Sequence, residues 1–296
     1  MISKAMLLEV LNLNLPNETS FLQLGISNTN RPGSLSFFDD DRYLSELNQN
    51  DNITGTFVSS ENAKKIIGKQ VIITEDPRWA YYTIQNHIGK LGKKSTPSSI
   101  HPTSFVHKTA WVAENNVIIG RNCKIGANVT ILEDVEIGDD CVIQPGTVIG
   151  SEGFEFKRTK KGVLSVYHDG KVIIGNKVEI GSNTCIDKGF SFINTIVENE
   201  VRIDNLVHVA HGVHIKEGAF VIAAAMLAGS CIIGKNSWIG PNATIGHVEI
   251  GDDGNVTFGS VVTKNVEPGQ KVTGNFAMPH DMFLKNLKKV LKGLNE

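Results

Sequence analysis

The residues able to do chemistry in this 296-residue chain gather in its second half. His211 and His247 each stand two places after a periodic aliphatic residue, Val209 and Ile245. In a repeat whose coil is 18 residues long, a spacing of 36 residues puts them on one face, two rungs and roughly 10 Å apart. An imidazole pair at that separation flanks a ligand but does not share one metal ion, and no metal site is expected. Gly229 lies one coil beyond His211, so its backbone N–H is expected one rung from the ring. A general base beside a free amide donor is an acyl-transfer arrangement. Asp204, seven residues before His211, is expected to orient the imidazole and raise its basicity. A further feature is the excursion Ser151 to Lys171, which interrupts the repeat and carries Lys157, Arg158, Lys160 and Lys161. A loop thrown out of a regular scaffold is often a binding element.

The element that positions these groups is a hexapeptide repeat. An aliphatic residue recurs every sixth place from Ile119 through Ile125, Ile131, Ile137 and Ile143 to Ile149, resumes at Ile174, and runs unbroken from Val197 to Ile245. Period six is neither the period of a strand nor that of a helix; it reads as one short strand and one turn per hexapeptide. Three such units close a triangular coil, with the aliphatic side chain pointing inward and Gly or Asn taking the turn. Cys123 and Cys141, 18 residues apart, are expected to stack on adjacent rungs as small buried hydrophobes.

The flanking segments read differently. Residues 1–98 form a small α/β domain, with a strand at Gln70 to Thr74, a helix from Pro77 to Ile88, and a linker from Lys90 to Ser99. Residues 99–277 form the coil, and 278–296 a short amphipathic helix, Asp281 to Leu294, with Lys285, Lys288, Lys289 and Lys292 outward, placed to cap the open last coil. The 29 Lys+Arg against 31 Asp+Glu, without a dense basic run, leave no electrostatic footprint for nucleic acid. No stretch is apolar enough to span a membrane, and the first 15 residues do not read as a signal peptide. Four cysteines without a CxxC pair suit a reducing cytoplasm.

The order Val148-Ile-Gly-Ser-Glu-Gly-Phe154, Gly170-Lys-Val-Ile-Ile-Gly175, Gly181-Ser-Asn-Thr-Cys-Ile-Asp187, Asp204-Asn205 with Val209-Ala-His211, and Gly246-His-Val-Glu-Ile250 resembles the UDP-3-O-acylglucosamine N-acyltransferase family of lipid A synthesis, a hexapeptide-repeat family. Leu35-Ser-Phe-Phe-Asp-Asp-Asp-Arg-Tyr43 is similar to that family's nucleotide-binding segment. The resemblance implies a left-handed parallel β-helix preceded by an α/β domain. It implies transfer of an acyl group from an acyl-carrier-protein or CoA thioester to the amine of a nucleotide amino sugar, without a cofactor and in a homotrimer with sites between neighbouring prisms. His211 becomes the base oriented by Asp204, Gly229 the oxyanion donor, and His247 a steadying imidazole. Phe37 and Tyr43 stack the nucleobase, Asp40 stands where the family reads uracil with an Asn, and Asn205 and the 151–171 loop lie near the sugar phosphates. Phe258, Met226 and Leu227 stand where the family often keeps smaller or more flexible residues around the acyl chain. They point to a donor shorter than the family's 3-hydroxyacyl chains. The competing readings are short-chain N-acylation of a deoxyamino sugar for O-antigen or capsule, and a zinc carbonic anhydrase on the same prism. Against the latter, no acidic and histidine set shows the close convergence zinc needs.

Overall fold

The computed structural model describes residues 1–15, 18–274 and 277–293. Helix α1 (Lys4–Leu11) starts at Ser3, whose hydroxyl accepts from the Met6 N–H. Four parallel strands follow, Gln23–Leu24, Ser34–Phe38, Ile53–Val58 and Gln70–Ile73, paired in chain order. Helix α2 (Leu44–Gln49) links the middle pair, and its Leu47 is fully buried. Helix α3 (Pro77–Gly92) begins where the Asp76 carboxylate accepts from the Trp79 N–H at 2.9 Å and Pro77 takes the first turn, which wastes no donor. It buries Ala80, Tyr81 and Ile84 in a shared core with Leu35, Phe57 and Ile72. The helix runs four residues beyond Ile88, so the stretch that reads as linker from Lys90 begins as helix.

From Ser99 the chain winds into three parallel sheets of eight, nine and eight strands among the described residues. Ile119 pairs with Ile137, Ile125 with Ile143 and Ile131 with Ile149, a step of 18 residues on every face. The winding is the left-handed β-helix. Alternation along each short strand turns the periodic aliphatic inward. The inward positions form one continuous core from Ala113 to Val266, with Cys123, Cys141 and Cys231 buried in it. Corners fall on Asn122, Asn128, Asn183, Asn236 and Asn242, all left-handed at φ 55° to 57°. Asn tolerates that conformation through local hydrogen bonding where β-branched residues do not.

The excursion is not a solvated loop. Phe156–Thr159 and Gly162–Ser165 form an antiparallel hairpin that packs against α3. The Asn86 side chain donates to the Ser165 carbonyl at 2.8 Å and accepts from the Tyr167 N–H at 2.7 Å. Val166 joins the core of the first domain. Two of the four basic side chains are spent on docking: the Lys157 and Lys161 ammonium groups lie 4.7 and 3.6 Å from the ring centres of Tyr82 and Trp79.

Helix α4 (His280–Gly293) does not cap the coil. Its side chains from His280 to Val290 are all exposed, Phe283 and Val290 among them. The Lys292 side chain and Leu294 lie outside the described residues.

Candidate active site

Where the coil's last sheet turns toward its first, the 18-residue step stacks His211, Gly229 and His247 in one column. The stack is tight. A methyl group on Gly229 would lie 2.2 Å from His211 Cε1 and 2.7 Å from its Nε2, so the imidazole occupies the space any other residue would need. The Gly229 carbonyl accepts from His247 Nδ1 at 2.7 Å. The Gly229 N–H makes no hydrogen bond among the described residues. The three groups open on a cavity of about 630 Å³, which Tyr81, Tyr82 and Arg31 of the first domain and Glu155 and Lys157 of the excursion also line.

His211 is half-buried at the edge of this cavity. Its side chain is 16% exposed, and the ring meets Phe190 edge-on at 4.8 Å between centres. Burial lowers its pKa below the usual histidine value, opposed by the negative charges of Glu155 and Asp187. That shift favours the neutral ring, the form able to accept a proton. Glu155 Oε2 stands 3.6 Å from Nε2, an electrostatic contact longer than a hydrogen bond. Nδ1 is buried without a hydrogen-bond partner among the described residues.

Asp204 does not orient this ring within the chain. Its carboxylate accepts from the Asn205 and Ala223 N–H groups at 2.7 and 3.2 Å, and it lines a separate cavity with Asn205, Arg202 and Ser182. The reason is geometric: seven residues carry the chain along a whole face to the next corner. Asn205 accepts from the Ser182 N–H at 2.6 Å at that same corner. Phe258 and Met226 do not line the His211 cavity either. Met226 sits on the outer face between His208 and Thr244, and Phe258 follows Val256 at the same corner as Asp204 and Asn205, three rungs on.

In the first domain, Phe37 packs at 4.9 and 5.8 Å against the Tyr81 and Tyr82 rings that line the cavity. Tyr43 is exposed, with the Arg42 guanidinium 5.7 Å from its ring centre. Asp40 is held by Arg42 through bonds of 2.6 to 3.1 Å and caps the Asp41–Tyr43 turn; those bonds bring its pKa down to about 2.

Glu155, Asp187 and His168 escaped the sequence reading. Buried His168 donates from Nδ1 to the Val166 carbonyl and accepts at Nε2 from the Gly153 N–H, 3.1 Å each, which fixes a neutral ring 6.0 Å from that of His211. Glu155 and His168 belong to the excursion, where no repeat specifies register. The available signal was the excursion's proximity in sequence to the broken repeat. An acidic and histidine set does converge: Cys185, Asp187 and His208 offer ligand atoms all within 4.8 Å of one another.

The family description "Bacterial transferase hexapeptide (six repeats)" matches residues 116–151 and 230–264. The UDP-3-O-acylglucosamine N-acyltransferase of an Acidovorax species (strain JS42) is 40% identical over 202 residues, 63% of this chain and 60% of that protein. UDP-3-O-acylglucosamine N-acyltransferase 2 of Legionella pneumophila (strain Lens) is 52% identical over 63 residues, 21% of this chain and 18% of that protein. Among solved structures, a UDP-N-acetylglucosamine acyltransferase from Campylobacter jejuni superposes with a TM-score of 0.49 at 20% identity, covering 60% of this chain and 72% of that one. The chain thus spans between about a fifth and three fifths of the length of these two curated relatives. No described helix is long and apolar enough to cross a membrane. The chain carries the hexapeptide repeat in sequence and in winding, and over 63% of its length it is similar to a UDP-3-O-acylglucosamine N-acyltransferase.

Proposed function

We propose that this protein is a cytoplasmic N-acyltransferase that moves an acyl group from an acyl-carrier-protein or CoA thioester to the amine of a nucleotide-linked amino sugar, in the manner of lipid A synthesis. The observation that carries the reading is the column itself: a half-buried His211, whose neutral form burial favours, stacked on Gly229, whose amide is free among the described residues and whose carbonyl is held by His247. As the amine nitrogen attacks the thioester carbonyl, the imidazole takes its proton. The carbonyl oxygen gains negative charge, which the Gly229 N–H stabilises. Collapse re-forms the carbonyl, breaks the C–S bond, and the imidazolium returns the proton to the departing sulfur. No cofactor enters this sequence.

For the substrate, Tyr43 is the exposed aromatic face of the first domain, while Phe37 spends much of its ring on Tyr81 and Tyr82. We assign the nucleobase to the Tyr43 side and the sugar to the cavity below Tyr82. Asp40 enters as an ionised partner of Arg42, not as a reader of the base. We also assign a homotrimer in which the Asp204–Asn205 corner of one prism faces the His211 corner of the next, which would give Asp204 its role across subunits. Phe258 and Met226 lie outside the His211 cavity of the single chain, and Phe258 stands in the Asn205 column, at the corner that this trimer would bring to the neighbouring site.

The decisive experiment is turnover of UDP-amino sugars with acyl-carrier-protein and CoA thioesters, read as a mass increment. His211→Ala should lower kcat by about two to four orders of magnitude with the oligomer intact. Near-normal kcat in a folded variant refutes the mechanism.

A further inference from the structure

The convergence of Cys185, Asp187 and His208 calls for an account of its own. Cys185 and Asp187 are two places apart on one strand, so both project outward while Ile186 between them is buried. The next rung pairs Cys185 with His208, and the preceding rung pairs Ser151 with Asp187. Three consecutive rungs thus present a thiol, a carboxylate, an imidazole and a hydroxyl at one spot.

We propose that Cys185, Asp187 and His208 bind one divalent ion of the zinc class, with Ser151 positioning the Asp187 carboxylate. The donor set is what such an ion selects, since thiolate, imidazole and carboxylate together suit zinc and not magnesium or calcium. The spacing is close to what such an ion needs. Bond lengths of about 2.0 to 2.3 Å in a tetrahedron separate ligand atoms by about 3.3 to 3.6 Å. Cys185 Sγ is 3.6 Å from Asp187 Oδ1 and His208 Nε2 is 3.7 Å from Oδ2, and the three donor atoms lie within 4.8 Å of one another, so a bound ion would draw the thiolate and the imidazole in toward the carboxylate. The carboxylate is prearranged: Ser151 Oγ donates to Oδ1 at 2.6 Å, and the Asp187 backbone carbonyl accepts from Thr195 Oγ1 at 2.6 Å. A ligand oriented by an outer hydrogen bond is a recurrent feature of metal sites. Asp187 is nearly buried while the His208 side chain is 46% exposed, so the ion enters from the imidazole side and keeps an open fourth position there. The proposal does not depend on the acyl-transfer reading.

The test begins with unmutated protein. Cys185 is the one cysteine of four that is not buried, so a thiol reagent should label it, and Zn2+ added to chelator-treated protein should block that labelling. Co2+ should bind at one ion per chain with a thiolate-to-cobalt charge-transfer band and four-coordinate visible absorption. Cys185→Ser should remove the charge-transfer band, and Ser151→Ala should weaken binding by about 10- to 100-fold. Labelling indifferent to Zn2+, or cobalt bound without a thiolate band, overturns the site and leaves a hydrogen-bonded cluster only. Both wild-type readouts stand whether or not a variant folds, and neither needs turnover.

Discussion

Replacing Gly229 with Ala tests the column at its narrowest point. The added methyl would sit 2.2, 2.7 and 2.8 Å from Cε1, Nε2 and Nδ1 of His211. Carbon contacts are comfortable at about 3.5 to 4.0 Å, so the ring has to retreat by about 1 Å or more. It is backed by Phe190 and His168, which leaves it little room to retreat. A misplacement of about 1 Å at a catalytic group costs on the order of 100-fold in rate, and overpacking costs about 1–3 kcal/mol of stability. Gly229 has no left-handed backbone requirement, so the effect is confined to the clash. The assay is steady-state kcat alongside thermal unfolding, with Gly92→Ala as a control, because a methyl there meets nothing within 4 Å. We expect kcat to fall about 100-fold while KM for the nucleotide sugar changes little. A folded Gly229→Ala enzyme with kcat within a few-fold of wild type would show that the ring does not act from this position.

Burial depresses the His211 pKa, so in chelator-treated enzyme the acidic limb of kcat/KM should lie below the ordinary histidine value of about 6.5. Glu155→Gln removes a charge that raises that pKa and should move the limb to still lower pH; a limb that stays put or moves up contradicts the assignment. The same depression makes folding favour neutral His211, a stabilisation present above pH 6.5 and lost as pH falls through the folded pKa. If the site is shared between subunits, mixed oligomers of His211→Ala and Asp204→Ala chains should regain activity that neither has alone, and sedimentation should give three times the 32.2 kDa chain. Asn86→Ala removes two hydrogen bonds that tie the hairpin to α3 and should lower unfolding stability by about 1–2 kcal/mol in denaturant titration.

The coil was legible residue by residue because its physics is local and periodic. Each hexapeptide turns its periodic aliphatic residue inward, so Ile119, Ile137 and their successors dictate an 18-residue step, and that step alone stacks His211, Gly229 and His247. Asp204 misled the same logic: sequence nearness of seven residues does not survive a corner, and only the threefold path of the chain shows which corner each residue occupies. The excursion carries no period to set a register. Its place was decided by Asn86, Trp79 and the α3 core, contacts about 80 residues away in sequence, and with it came Glu155 and His168. Helix α4 reads as a cap from its amphipathic pattern, yet no described side chain up to Val290 is buried, because an apolar stripe specifies that a surface is to be covered and not which surface covers it. Sequence by itself determined whatever repeats along the chain. The tertiary structure decided everything that depends on how a non-repeating segment meets the repeat, since such contacts are chosen by shape and charge across space and leave no spacing behind them.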